Sequence, residues 1–293
     1  MTEKIEFQAA LHEHRRRLED VLCGRFSGLS KMYLRELIKT EQCEVNGRSE
    51  NRGYVVRSND FVELYADLSR ETAMRPENVP LEVLYEDEHL IVVDKPAGML
   101  AHPSFRDRSG TLLNALAFHL NRNAIMMGEQ ADLIRPGLIH RLDKETSGLM
   151  VIAKSLPTHR RLSAQFENKT VTKRYAALVS GNIAEDEGAV NAPIGRFADL
   201  KYWGVKDDGK PSVTRFRVER RTPGRTLLEL EPVTGRTNQL RIHCEHLGHP
   251  IVGDVKRGGE PFKRLCLHAW KLGFRHPFTN EMLEFEKPTV FAE

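Results

Sequence analysis

The sequence predicts an α+β protein with two structured parts, on the strength of three observations. Short apolar runs typical of β-strands recur along most of the chain and are separated by turn residues. Helical spacing of apolar residues is limited in the longer part to segments near 111–120, 156–168 and 238–247, so helices do not alternate regularly with strands. A polar, proline-containing stretch at 68–79 is predicted to be a linker after a smaller N-terminal part.

The composition is typical of a soluble globular protein: 29% of the 293 residues are charged and 40% are hydrophobic. No apolar run approaches the length of a membrane span, and the polar N-terminus has no signal-peptide core. The four cysteines are scattered without a Cys-x-x-Cys pair, as expected of reduced thiols. These features predict a cytoplasmic protein without membrane contact. We also expect a monomer, since no coiled-coil or exposed apolar stripe stands out.

The net charge of +3 does not by itself indicate a nucleic-acid partner. The distribution is more informative, because residues 154–174 contain six Lys or Arg residues and one acid, Glu167. Such a cluster can bind phosphate, although a run of charge is also typical of a solvated surface.

The N-terminal part is predicted to begin with a loose polar lead at residues 1–14, followed by two short helices. The first helix is indicated by apolar residues at helical spacing, Leu18, Leu22 and Phe26. Ser30 is the candidate N-cap of the second helix. One stripe of that helix is basic and consists of Lys31, Arg35 and Lys39.

A small hairpin sheet is expected next, because Asn46-Gly47 suits a tight turn between two strands and residues 60–66 have the pattern of another strand. Two helices with a basic stripe and a hairpin sheet resemble the RNA-binding domain first seen in ribosomal protein S-four. The matching positions are Arg17-Leu18, Ser30-Lys31, Leu37-Ile38, Val45-Asn46-Gly47 and Asp60, while Glu41 stands where that family usually has glycine. The resemblance covers about residues 15–67 and implies that Lys31 and Arg35 bind RNA. The alternative is a small α+β cap without a ligand.

Beyond residue 79, in the part spanning 80–293, two motifs suggest other functions, and both are rejected. The segment 204–210 nearly matches a phosphate-binding loop, but Pro211 stands where that motif requires Ser or Thr. His243, His246 and His249 are spaced by three, yet Gly248 is expected to end the helix before the third histidine. We therefore expect neither a nucleoside triphosphatase nor a metal site.

A group of ionisable residues between two apolar runs is the strongest candidate site. His140, Arg141, Asp143, Lys144 and Glu145 lie between residues 137–139 and 148–153, which both have the composition of buried strands. Loops that interrupt buried strands often hold catalytic groups, because the sheet fixes their positions. A surface ion network is the alternative for these residues taken alone.

These residues are part of a series of blocks that resembles the RluA-type pseudouridine synthases. The blocks are LIVVDKPAG at 90–98, HRLDKETSGL at 140–149, KRY at 173–175 with Gly181, GRTNQLRIH at 235–243 with LGHPIVGD at 247–254, and LHA at 267–269 with His276-Pro277. They occur in the family's order over about residues 79–287. The resemblance implies the pseudouridine synthase fold, which is a large mixed, mostly antiparallel sheet flanked by helices.

The resemblance also implies a reaction: uridine in RNA is isomerised to pseudouridine without a cofactor or metal. Asp143 matches the family's nucleophilic aspartate, which could attack the ribose, attack the uracil ring or assist glycal formation. Arg241 matches the arginine that pairs with this aspartate, which would counter the rise in its pKa on burial. Tyr175 is the candidate for stacking on the uracil and for proton transfer from carbon 5.

Two further residues are expected to contact the substrate. Arg141 could fill the space left when the target base is flipped out of the RNA, and Leu267 is expected to form an apolar wall of the pocket. Ribosomal RNA of the large subunit is favoured over tRNA as the substrate, because an N-terminal RNA-binding domain often accompanies rRNA enzymes in this family. The alternatives are the same chemistry on tRNA, a non-catalytic RNA-binding platform, and a glycosidase that releases the base.

Overall fold

The computed structural model describes residues 2–26, 29–68, 75–104, 107–128, 133–197, 202–289 and 291. The chain forms two compact units. The first comprises residues 1–79 and 102–136, and the second comprises residues 80–101 and 137–293. Residues 102–136 thus group with the N-terminal unit, whereas they were predicted to belong to the larger part. Within the expected linker, residues 69–74 lie outside the described part of the chain.

In its described residues, the first unit contains a four-stranded antiparallel sheet and three α-helices. The strands are β1 (Glu3–Gln8), β2 (Cys43–Val45), β3 (Arg48–Ser49) and β4 (Phe61–Ala66), in the order β1-β4-β2-β3. The helices are α1 (Leu18–Arg25), α2 (Lys31–Lys39) and α3 (Leu112–Met126), and a short 3₁₀ helix, Leu11–Glu13, precedes α1.

Local chemistry explains most of these elements. The predicted cap of α2 is confirmed, since Ser30 Oγ accepts a hydrogen bond from the Tyr33 amide at 3.1 Å. Asn46 and Gly47 both have positive φ, 52° and 72°, as a tight turn between β2 and β3 requires. Residues 3–8, expected within a loose lead, instead form β1, which pairs with β4 along its whole length.

The described residues of the second unit form a large sheet of ten strands. Its strands are β5 (Glu82–Glu86), β6 (Leu90–Lys95), β7 (Gly137–Leu138), β8 (Ser147–Ala153), β9 (Thr172–Ser180), β10 (Glu187–Asn191), β13 (Val213–Thr222), β14 (Arg225–Pro232), β15 (Leu267–Arg275) and β16 (Met282–Glu286). A separate pair consists of β11 (Ile194–Phe197) and β12 (Tyr202–Val205). The helices are α4 (Leu156–Glu167) and α5 (Gln239–His246).

The main path of the sheet runs β10-β13-β14-β9-β15-β8-β6-β5, with β16 on β15 and β7 on β8. The strands pair antiparallel except for β15 and β8, which pair in parallel. The predicted mixed, mostly antiparallel sheet is therefore confirmed, and so is the α+β class.

The parallel pair brings the site together. His268 is opposite Ser147 in the register of β15 and β8, so the two strands begin at the same end of the sheet. On the other side of β15, β9 runs antiparallel and places Tyr175 opposite Ala269. The loop before β8, the start of β15 and the first half of β9 therefore meet at one place.

Candidate active site

Asp143 lies in the loop between β7 and β8, and the backbone of this loop is held at two points. The Thr146 amide donates to the Asp143 carbonyl at 3.1 Å, which closes a tight turn, and the Gly98 amide donates to the Lys144 carbonyl at 2.8 Å. Gly148 follows with φ of 125°, and a side chain there would overlap the Ala269 backbone. This close approach of β8 and β15 requires glycine.

Lys95, the last residue of β6, holds the same loop in place through a hydrogen bond to its backbone. It is fully buried, and its Nζ donates to the carbonyls of Pro96 and Met99 at 2.8 Å and of Lys144 at 3.2 Å. Burial lowers the pKa of Lys95 to about 8, against the acidic side chains nearby, Asp143 among them. No role was predicted for this residue, although a lysine at the end of a strand that begins with four apolar residues is visible in the sequence.

The Asp143 side chain is half-buried and lines a cavity of about 770 Å³. Burial raises the pKa of this carboxyl above its ordinary value, and the charges of Arg241 and Arg141 oppose that rise. Burial has the larger effect. Within the described part of the chain, the carboxylate has no hydrogen-bond or ion-pair partner of its own.

Arg241 differs from expectation in its direct partner. Its Nε and Nη2 form a bidentate pair with Asp254, at 2.6 and 2.7 Å, and its Nη1 donates to Asn238 Oδ1 at 3.3 Å. The direct pair with Asp143 predicted from the sequence is therefore wrong for this structure. Asp254 is only 3% exposed, and the bidentate pair with Arg241 compensates for the burial of its charge. Arg241 acts on Asp143 through its charge.

Tyr175 and Leu267 line the same cavity as Asp143. Burial, together with the Asp143 charge, raises the pKa of Tyr175, so its phenol stays protonated at neutral pH. Leu267 is 3% exposed and belongs to the apolar cluster under the cavity. The structure thus brings the predicted nucleophile, ring-stacking residue and apolar wall together.

Arg141 and His140 precede Asp143 and have different environments. Arg141 is exposed at the cavity, as expected of a side chain that enters the RNA. The ring of His140 stacks on Phe166 with centroids 4.8 Å apart, and its Nε2 accepts a hydrogen bond from the Val151 amide at 3.2 Å. Burial and the charge of Lys173 lower the pKa of His140 to about 3, so the ring is neutral.

The cavity wall has a positive balance of charge. The basic residues that line it are Arg141, Lys169, Lys173, Arg215, Arg236 and Arg241, and the acidic residues are Asp143, Glu167 and Glu231. A cavity of this size and charge suits a nucleotide, because it offers apolar walls for a base and cations for phosphate.

The other predicted binding residues, Lys31 and Arg35, lie on α2 in the first unit. Both contact Glu19 of α1: Arg35 donates twice, at 2.8 and 3.0 Å, and Lys31 Nζ lies 2.7 Å from Oε1. Their side chains remain 43% and 45% exposed. The basic stripe is therefore accessible, but it is partly neutralised by an acid on the preceding helix, a pairing that was not predicted.

Two of the three histidines spaced by three, His243 in α5 and His249 after it, are engaged with protein atoms. His243 is 1% exposed, and its two ring nitrogens contact Thr214 Oγ1 at 2.8 Å and the Ala192 carbonyl at 3.1 Å. His249 Nδ1 lies 2.9 Å from the Ser180 carbonyl. His243 is therefore a structural residue that anchors α5.

A match to a family model decides the class of this protein. Residues 89–246, more than half of the chain, match the family described as RNA pseudouridylate synthase. The chain belongs to this family. The resemblance to RluA-type pseudouridine synthases is thereby confirmed, and the protein is an RNA pseudouridine synthase. No described helix of the synthase is long and apolar enough to cross a membrane.

Individual relatives cover nearly the whole synthase. The RNA pseudouridine synthase YlyB of Bacillus subtilis is 37% identical, over 97% of this chain and 94% of that protein. The ribosomal large subunit pseudouridine synthase D of Pasteurella multocida is 36% identical, over 94% of this chain and 89% of that protein. Among solved structures, human RNA pseudouridylate synthase domain containing 1 superposes with a TM-score of 0.60 at 26% identity, covering 76% of this chain and 87% of that one.

Proposed function

We propose that this synthase isomerises uridine in the RNA of the large ribosomal subunit, with Asp143 as the nucleophile and without a cofactor. The observation that carries the assignment is a half-buried carboxylate, unpaired among the described residues, at a nucleotide-sized cavity that Arg241 and Tyr175 also line. A carboxylate that has no protein partner is free to react with a substrate. The named activity of relatives such as the Pasteurella multocida enzyme supports ribosomal RNA over tRNA.

The isomerisation breaks the bond between N1 of uracil and C1′ of ribose and forms a bond between C5 and C1′. The proton on C5 is released, and N1 gains a proton. Substrate and product have the same composition and oxidation state, so the reaction needs no oxidant, reductant or group donor. Protein side chains are therefore sufficient for the chemistry, and Asp143 supplies the negative charge that assists cleavage of the bond to N1.

Arg241 and Tyr175 complete the proposed site. Burial raises the pKa of Asp143, the Arg241 charge opposes that rise and so favours the ionised carboxylate, and the Asp254 pair holds the guanidinium in place. The neutral ring of Tyr175 stacks on the detached uracil. Because its hydroxyl is protonated, it takes part in the proton transfer from C5 as a relay, accepting that proton while it passes its own to water. Leu267 limits the space in which the base rotates, and Arg141 occupies the gap in the RNA after base flipping.

Tritium release tests both the chemistry and the substrate. RNA labelled at C5 of uridine is prepared as large-subunit rRNA and as bulk tRNA from cells lacking the synthase. We expect release from the rRNA only, and we expect Asp143→Asn to reduce it by about 10⁴-fold or more with unchanged RNA affinity. Near-normal release by Asp143→Asn would remove Asp143 as the nucleophile.

The same assay separates the alternatives. Release from tRNA alone would reassign the substrate but keep the chemistry, and free uracil among the products would indicate a glycosidase. If naked RNA gives no release, the assay is repeated with pre-ribosomal particles. Failure of the particles as well would leave the proposed ribosomal substrate without support.

A further inference from the structure

Lys173 is a cation at the cavity that has no role in the proposed chemistry. It lies on β9 two residues before Tyr175, so both side chains project from the same face of the sheet, and both line the cavity. Lys173 is half-buried. If the target base stacks on Tyr175, a group bound next to that base is therefore within reach of the Lys173 ammonium.

Three carboxylates, Asp143, Glu167 and Glu231, line the same cavity, but none of the described residues forms an ion pair with Lys173. In that part of the chain, Lys173 Nζ has neither a hydrogen-bond acceptor nor a carboxylate partner, and it lies beside the Phe166 ring, 5.6 Å from the ring centroid. His140 stacks on the same Phe166 ring and is neutral. Burial lowers the pKa of Lys173.

The next residue on the strand shows the contrast. Arg174, by contrast, is paired: its Nη1 lies 2.9 Å from Glu231 and its Nε lies 3.6 Å from Glu229. Within the described chain, adjacent positions on β9 thus carry one cation with two carboxylates and one cation with none. A buried lysine without a partner destabilises the free protein unless a bound anion compensates for it.

We propose that Lys173 forms a phosphate-binding subsite that holds the phosphodiester next to the target uridine. The ligand is an RNA phosphate because the cavity is open to a polynucleotide and each nucleotide brings an anion within a few ångströms of its base. Lys169 and Arg141 line the same cavity and add to the positive potential. This subsite rests on the proposed function, in which the target uridine reacts at Asp143.

A double-substitution experiment tests the subsite on the RNA and on the protein. Short RNA substrates carry an uncharged methylphosphonate either 5′ or 3′ of the target uridine, and each is assayed by tritium release with the wild-type synthase and with Lys173→Met. We expect Lys173→Met to lower kcat/KM by roughly 10- to 100-fold on unmodified RNA. With one of the two methylphosphonates, the wild-type enzyme should show the same loss, and Lys173→Met should lose nothing further.

Lys206→Met is the matched control. Lys206 also lies beside an aromatic ring, 5.8 Å from Phe197, but it pairs with Asp208 and does not line the cavity. It should behave as the wild-type enzyme on every RNA. Thermal unfolding is the second readout: because no described residue pairs with Lys173, Lys173→Met should unfold at the same temperature as wild type or higher.

The outcomes distinguish this subsite from the proposed function. Additive losses for Lys173→Met and both methylphosphonates, or full activity of Lys173→Met, would overturn the phosphate subsite. A lower unfolding temperature together with additive losses would make Lys173 a structural residue. If Asp143 is not the nucleophile, a different result is expected: the Asp143→Asn variant would turn over the unmodified RNA.

Discussion

Two buried cations near Asp143, Arg241 and Lys95, are held by protein partners, whereas the Asp143 carboxyl has none among the described residues. Arg241 is held by Asp254, and Lys95 by three backbone carbonyls. Both cations therefore stay fixed when a substrate enters, and neither needs to be desolvated again during the reaction. The pKa of the Asp143 carboxyl is set by burial and by the charges around it. Fixed cations around one unpaired carboxyl are expected of a preorganised catalytic centre.

Lys95 should make stability depend on pH in alkaline solution. Burial lowers its folded-state pKa to about 8, whereas the ordinary value is 10.5. Below pH 8 both states hold the proton, but between these values only the unfolded chain does, so the folded state gains stability as the pH rises. The free energy of unfolding of the wild type, relative to Lys95→Met, should increase by up to about 3 kcal/mol between pH 8 and 10.5.

Denaturant unfolding at several pH values measures this difference. Lys144→Met is the control, because Lys144 belongs to the same loop but its side chain is exposed. It should show no such trend. A constant difference between the wild type and Lys95→Met across this range would mean that Lys95 keeps its proton in the folded state.

At the level of elements, the C-terminal end of α2 places Glu41 in a backbone conformation that is unfavourable for a residue with a side chain. The Gln42 amide donates to the Leu37 carbonyl at 2.8 Å and the Glu41 amide to the Ile38 carbonyl at 3.3 Å, which is the Schellman pattern. This pattern places Glu41 in the left-handed region, with φ of 58°. Glycine, which the resembling RNA-binding domains usually have here, adopts this conformation without a steric penalty.

Glu41→Gly should therefore stabilise the first unit by about 1 kcal/mol, since the left-handed conformation penalises any residue with a Cβ. Denaturant unfolding of the full-length chain, followed by a signal from that unit, measures the change. Glu41→Ala removes the same carboxylate but keeps the Cβ, so it should give little or no gain. Equal stabilisation by both variants would assign the effect to charge near the helix C-terminus instead.

Helix caps and turns, which depend on residues close together in the sequence, were predicted well. Contacts between residues far apart in the sequence could not be predicted. Ser30 was identified as a cap because its hydrogen bond reaches only three residues ahead. Residues 3–8 were missed as a strand because their partner, β4, is more than fifty residues away and the run is short and charged. The expected pairing of Arg241 with Asp143 was implied by the family resemblance, and nothing in the sequence indicated that Asp254, thirteen residues away, is the carboxylate that Arg241 holds.

At the scale of the whole molecule, affinity for RNA is expected to combine cations of both units. In the first unit, Lys31 and Arg35 share Glu19, whose pKa falls to about 2 through these two partners although burial opposes that shift. Each cation is thus already paired before RNA arrives. RNA phosphates must compete with Glu19, so this pair contributes less to affinity than two free cations would.

The double variant Lys31→Gln/Arg35→Gln should bind substrate RNA roughly tenfold more weakly than the wild type. The slope of log K against log salt should become shallower by ~0.7 for each RNA phosphate that is no longer neutralised. The rate at saturating RNA should not change, because Asp143, Tyr175 and Arg241 are untouched. Filter binding over a range of salt concentrations, with single-turnover tritium release, measures both. Lys4→Gln removes a charge of the same unit outside α2 and serves as the control.

Glu19→Gln should have the opposite effect, which makes the competition itself testable. The amide keeps the size of the side chain but not its charge, so Lys31 and Arg35 become available to phosphate. RNA affinity and its salt dependence should both rise, while the free energy of unfolding falls because a mostly buried ion-paired carboxylate is lost. If Glu19→Gln leaves RNA affinity and its salt slope at the wild-type values, the basic stripe of α2 does not contact RNA, and the RNA-binding function proposed for the first unit must reside elsewhere on it.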